Sequence, residues 1–348
     1  MVRVAAREQA SERSAQPARR RPDLFALVLV CAVVSAALAL ALLREDVPGP
    51  AQSARAYPAT LASHIENPSA HVQPGGTGWN QPSDMAVLDG RLFVLDTGNS
   101  RILEVNEGGS VLQVLDSRRD KRLTLTEAMA LASDGNYLYV ADSGAGRVLV
   151  LTPDGRVVHA FPVGGDASVP ARPIGLAVAP GGDVLVSDAA NHRVLRYDAE
   201  GRPLWAAGTG RRSGGELGFN TPGGLALDRD GNVYVVDILN GRVVKLSPDG
   251  SYLDQYGRLG DTGGTLSRPK DVAIDDTGNL FVSDSLLAAA QVFAPDGEYL
   301  GFIGLNDPAD RGSGSLFRAP AGLTVAGSRL YVVDRLASVF VMELPAPR

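Results

Sequence analysis

The chain has 348 residues, 40 of them Gly and 22 Pro, with nine Phe, nine Tyr and two Trp. That balance points to an all-β protein of many short strands and tight turns and argues against long soluble helices. The net charge is −6, and residues 1–23 alone carry six Arg against Glu8, Glu12 and Asp23, so the remainder is more acidic still. Such a remainder lacks the concentrated basic face that nucleic-acid binding needs, and no nucleic-acid partner is expected. The single cysteine, Cys31, lies in an apolar run, which excludes a disulfide framework, a thiolate metal site and a cysteine nucleophile from the rest of the chain.

Taken in order, residues 1–23 read as a basic cytoplasmic tail. Leu24 to Leu43 then run without a charge, and as a helix that stretch spans about 30 Å, the thickness of a bilayer core. Arg19, Arg20 and Arg21 precede it, whereas Arg44 is followed at once by Glu45 and Asp46. The positive-inside bias therefore puts the N-terminus in the cytoplasm and the rest on the periplasmic or extracellular side of the cytoplasmic membrane, as a single-pass protein. A cleaved signal fits less well, because the apolar core is long and the nearest Ala-x-Ala pattern, Ala54-Arg55-Ala56, lies well beyond it. Val30 before Cys31 does not suit a lipoprotein signal, nor does Pro22-Asp23 after Arg20-Arg21 suit twin-arginine export. Residues 44–57, rich in Pro, Gly, Ala and Ser, read as a linker.

From residue 58 to the end one pattern recurs: a strand after a proline, a turn, a second strand closing in Asp, a polar loop, a third strand, a turn and a fourth strand. The closing aspartates are Asp96, Asp142, Asp188, Asp237, Asp284 and Asp334, at intervals of 46, 46, 49, 47 and 50 residues. Four short strands per unit at that period predict the blades of a β-propeller, six of them. The clearest copy runs from Pro222 through Asp237 and Arg242 to Pro248-Asp249-Gly250.

These units resemble NHL repeats, the third most closely, with Asn191-His192-Arg193 after Asp188; Asn99-Ser100-Arg101, Gly146-Arg147 and Asn240-Gly241-Arg242 are related. The resemblance covers residue 80 to the end and implies a six-bladed propeller without implying one activity. The sixth unit stops after its third strand, so a segment at residues 60–65 is expected to close the ring as the missing outer strand.

Four long inter-blade segments, beginning at Val163, Gly208, Leu259 and Asn306, reach one face of the disc, where a binding site is expected. Arg211 and Arg212 lie in the second, and the turn holding Leu286 and Leu287 is apolar enough to read as a docking patch for a protein or other envelope ligand. The repeated aspartates, with Arg101, Arg147, Arg193 and Arg242 five positions on, read as structural, since a catalytic group is normally made once rather than copied round a ring. Ala289 and Val339 replace that Arg in the last two units.

Some propellers related by this resemblance are lyases or lactonase-like hydrolases, generally using a divalent metal near the channel. The candidates here for a metal at the channel mouth are Asp84, Glu127 and Asp271, with Lys270 as a partner charge that favours a salt-bridged rim instead. His64, His71, His159 and His192 all fall away from the inner-strand openings, so no cofactor is expected and a binding or sensing scaffold is the leading reading. Asp228 to Asn232 begins like a calcium loop but lacks the downstream Glu and sits at a hairpin.

Overall fold

The computed structural model describes residues 55–66, 78–164, 169–304, 315–336 and 338–346. The basic tail, the apolar span 24–43 and most of the 44–57 linker lie outside them. Among the described residues no helix is long and apolar enough to cross a membrane.

Short apolar strands, buried on both faces in the middle of each blade and separated by tight turns, make every unit a four-stranded antiparallel sheet. The strand β1 (Thr60–Glu66) comes first. Blade one is β2 (Asp84–Leu88), β3 (Arg91–Asp96), β4 (Arg101–Val105) and β5 (Val111–Leu115). Blade two is β6 (Ala128–Ser133), β7 (Leu138–Asp142), β8 (Arg147–Leu151) and β9 (Val157–Pro162). Blade three is β10 (Pro173–Val178), β11 (Val184–Asp188), β12 (Arg193–Tyr197) and β13 (Pro203–Ala207). Blade four is β14 (Pro222–Leu227), β15 (Val233–Asp237), β16 (Arg242–Leu246) and β17 (Tyr252–Tyr256). Blade five is β18 (Pro269–Ile274), β19 (Leu280–Asp284), β20 (Ala289–Phe293) and β21 (Tyr299–Ile303). Blade six is β22 (Pro320–Ala326), β23 (Arg329–Asp334) and β24 (Ser338–Glu343), with β1 as its outer strand.

The core is divided between the seams. Each of six apolar clusters joins two neighbouring blades: Phe93 and Leu95 meet Leu138 and Val140 between blades one and two, for example, and Phe281 and Val292 meet Leu330 and Phe340 between blades five and six. No blade has a core of its own, so each stands only against its neighbours, and the ring must close for the first and last to be covered.

Closure comes from the N-terminal side. β1 pairs antiparallel with β24 from Thr60 opposite Glu343 to Glu66 opposite Ser338, and Ile65 is buried where blade six meets Met85, Val94 and Leu103 of blade one. Just before it, Ala56 bridges Phe302 in parallel on the outer edge of blade five, with the Tyr57 amide donating to the Phe302 carbonyl at 2.8 Å. Gly301 permits this approach: its φ is 148°, and a Cβ there would stand 2.5 Å from the Arg55 carbonyl oxygen. One short segment thus laces two blades.

Replacing buried Ile65 with Ala is expected to cost about 2–4 kcal/mol in urea unfolding, as for other large-to-small core changes, while Leu61→Ala on the exposed side of β1 costs under about 0.5 kcal/mol. Equal and small effects at the two positions would mean that β1 carries little of the ring's closure.

Candidate functional site

The second strand of every blade ends in an aspartate whose side chain is buried. A buried carboxylate must be paired or hydrogen-bonded, and in each blade it accepts backbone amides of the segment that leads into that blade. Asp96 takes the Asn80 amide at 2.7 Å, Asp142 those of Thr126 and Glu127, Asp188 that of Arg172, and Asp237 that of Asn220 at 2.7 Å. Asp284 takes Ser267 and Arg268, and Asp334 takes Arg318 and Ala319.

Arg101, Arg147, Arg193 and Arg242 reach back to the aspartate of their own blade, with N···O distances of 2.7, 3.4, 3.3 and 3.0 Å. Arg242 also donates to the Gly215 and Gly218 carbonyls, clasping the loop before blade four. Asn99, Asn191 and Asn240, three positions after the aspartate, add a second clasp: each donates to the aspartate and to a carbonyl of the incoming loop, that of Gly78, Val169 and Ser213 respectively. Sequence reasoning named these asparagines only as marks of the repeat and gave them no part in holding the loop.

Blades five and six lack the arginine. There the turn's own amides complete the carboxylate: Leu286 and Leu287 donate to Asp284, and Leu336 to Asp334. Gln291, buried and two residues beyond Ala289, takes over the clasp by accepting from the Gly264 amide and donating to the Thr265 carbonyl. Leu286 projects into solvent and Leu287 is half-buried. Arg211 and Arg212 are exposed on the loop before blade four and form no ion pair among the described residues. His192 accepts the Thr221 amide through Nδ1 at 3.1 Å, and burial, helped by the Arg212 charge, holds its pKa below the usual imidazole value.

The six innermost strands enclose a central channel of ≈ 420 Å³. Its wall is apolar over blades two to four, with Met129, Ile174, Ile238 and the glycines 223 and 224, and charged on the opposite side, with Asp84, Lys270, Asp271 and Arg335.

Asp84 and Asp271 do not stand free at the mouth. Asp84 accepts the Leu131 amide of blade two at 2.8 Å, and Asp271 the Leu323 amide of blade six at 2.8 Å, so each carboxyl stitches its blade to the next. The preceding blade makes room with glycine: a Cβ on Gly322 would stand 2.5 Å from Asp84 Oδ1, and one on Gly224 would overlap Asp271. Glu127 lies outside this pair. It sits on the rim one residue before β6 and is ion-paired with Arg172 at 3.0 Å. The expected trio is therefore not assembled, and among the described residues no three His, Cys, Asp or Glu side chains are placed to hold a metal ion.

The expected pairing of Lys270 with its acidic neighbour also fails, because the Asp271 carboxylate is taken by the Leu323 amide of blade six. Lys270 forms no ion pair among the described residues, and burial, with Arg268 and Arg335 nearby, lowers its pKa. Burial pushes Asp271 up to about 7 against the pull of the Leu323 and Val272 amides. Burial, then the charge of Asp271, likewise raises Asp84 well above the carboxylate range.

A family model for the NHL repeat matches residues 171–197, which hold β10 to β12 and Asn191-His192-Arg193. No curated protein matches the sequence. Among solved structures, a virginiamycin B lyase from Staphylococcus aureus is similar at 14% identity and a TM-score of 0.56, over 81% of this chain and 99% of that one. A gluconolactonase from Xanthomonas campestris is similar at 21% identity and a TM-score of 0.58, over 84% and 99%. A protein of unknown function from Bacteroides thetaiotaomicron is similar at 12% identity and a TM-score of 0.60, over 82% and 74%. At these identities the likeness is one of fold.

The raised carboxyls set a pH dependence. The folded state holds these protons more tightly than the unfolded chain, whose aspartates titrate near 4, so their contribution to stability is fully present below about 4 and is lost as pH rises through the folded value, about 7 for Asp271. The Tm is expected to be lower at about pH 8 than at about pH 5. Asp271→Asn, which keeps an acceptor for the Leu323 amide, should flatten that difference by roughly 4 °C or more. Parallel profiles for variant and parent would contradict the assignment.

Proposed function

The chain is a β-propeller of the NHL-repeat family, and from that premise we propose that it is a binding or sensing scaffold. It is held at the cytoplasmic membrane by the apolar span 24–43 and presents its loop face to a protein or another envelope ligand on the outer side. The observation that carries this reading is the use to which the repeated polar groups of the loop face are put. The six aspartates, their four arginines and three asparagines are spent on backbone amides, carbonyls and one another. What they hold in place is a rigid platform with exposed loops, the usual arrangement for recognition.

The tail, span and linker supply the topology of this proposal from charge bias and length.

A second reading rests on Asp84, Asp271 and Lys270, which place two proton-holding carboxyls and a cation in one channel, a constellation suited to acid–base work. Similarity of fold to a virginiamycin B lyase and a gluconolactonase names the reactions to try. The test uses the full-length chain in nanodiscs, assayed for ring opening of streptogramin B compounds and of gluconolactone, with and without magnesium, calcium or zinc. The scaffold reading predicts turnover at background and no stoichiometric metal uptake by calorimetry. Turnover abolished by Asp84→Asn or Asp271→Asn would replace it with the lyase or lactonase reading.

A further inference from the structure

Aligned on the anchoring aspartates, the six turns differ at their second residue. In blades one to three it is Gly98, Gly144 or Ala190; in blades four to six it is Leu239, Leu286 or Leu336. Gly98 and Gly144 have no room for more: a Cβ would meet Asn80 at 2.5 Å in one and Thr126 at 2.8 Å in the other. The leucines are 45, 69 and 57% exposed. They are fixed outwards, since the Leu286 and Leu336 amides donate to buried aspartates and the Leu239 amide to the Asn220 carbonyl. Among the described residues, one half of the loop face therefore carries a leucine on the turns of three consecutive blades, where the turns of the other half have Gly98, Gly144 and Ala190.

The same half is cationic. Lys270 and Arg335 line the channel inside this arc of leucines and Arg268 is exposed beside them. Among the described residues none of the three has a carboxylate partner, and Arg335 donates only to the Gln81 side-chain oxygen at 3.1 Å. The nearby carboxylates are otherwise engaged: Asp284 and Asp334 are saturated by amides, while Asp84 and Asp271 each bond a neighbouring blade. Cations left unpaired in a partly apolar wall call for an anionic group from outside.

We propose that blades four to six form a docking surface for an acidic protein segment with apolar side chains: its aliphatic or aromatic groups cover Leu239, Leu286 and Leu336 while a carboxylate enters the channel mouth towards Lys270 and Arg335. This deepens the scaffold reading and rests on it. Depth decides against a bilayer surface as the occupant, since Lys270 and Arg335 line a cavity inside the leucine arc, where a chain can lower a carboxylate and a flat layer of headgroups cannot.

The full-length chain in nanodiscs is panned against a displayed library of random dodecapeptides, and enriched peptides are resynthesised with a fluorophore for anisotropy titration. The expected consensus joins apolar residues to Asp or Glu. Leu286→Ser and Leu336→Ser each weaken the resynthesised peptide by roughly tenfold or more. Lys270→Met with Arg335→Gln weakens it similarly and removes the preference over its Asn/Gln counterpart. Far-ultraviolet circular dichroism and Tm confirm that each variant folds. Peptides indifferent to acidity, or unaffected by these substitutions, overturn this proposal and leave the scaffold reading standing. Displacement of the peptide by phosphatidylglycerol vesicles, but not by phosphatidylcholine vesicles, overturns it in favour of a lipid surface. An absence of enriched peptides, together with turnover of a small substrate, overturns both readings.

Discussion

A carboxylate taken out of water at the end of each second strand is the constraint on which the ring depends. Left unpaired, such a group would cost several kcal/mol. Its oxygens instead collect amides from the segment entering the same blade, and hydrogen bonds to a charged acceptor contribute about 1.5–3 kcal/mol each. The outcome is a fixed joint between the inter-blade connection and the hairpin it feeds, repeated six times. Cross-blade apolar clusters supply the bulk of the burial, while the joints set where each blade starts and so keep neighbouring clusters in register.

Where the joint is completed differently, the surface changes with it. Arginine and asparagine close it in blades one, three and four, leaving the turn to follow the carboxylate. In blades five and six the turn amides themselves do so, those of Leu286 and Leu336 among them. Gln291 restores the clasp on the loop before blade five that the missing arginine would have made.

Much of this was legible in the chain. Asp-closed second strands, Asp-Gly turns and a count of strands per unit give six blades and leave the sixth one strand short, and β1 occupies that edge. The apolar span and its flanking charges lie outside the described residues. Less legible were the channel groups, because the Leu131 and Leu323 amides that hold Asp84 and Asp271 come from other blades, and no local pattern announces them. One signal was present and unused: Glu127 precedes the residue, Ala128, that registers opposite Asp142. Of the turn leucines only Leu286 and Leu287 were singled out, although aligning the turns on their aspartates puts Leu239 and Leu336 in the same place as Leu286.

The most direct test of the central joint is hydrogen exchange, resolved to single amides, at Asn80, Thr126, Arg172, Asn220, Ser267 and Arg318. These amides belong to loops, yet each donates to a buried aspartate, so the account predicts protection comparable to that of the adjoining strands. Exchange as fast as in the exposed Arg211–Gly215 stretch would contradict it, and would mean that the aspartates do not hold the ring's connections in place.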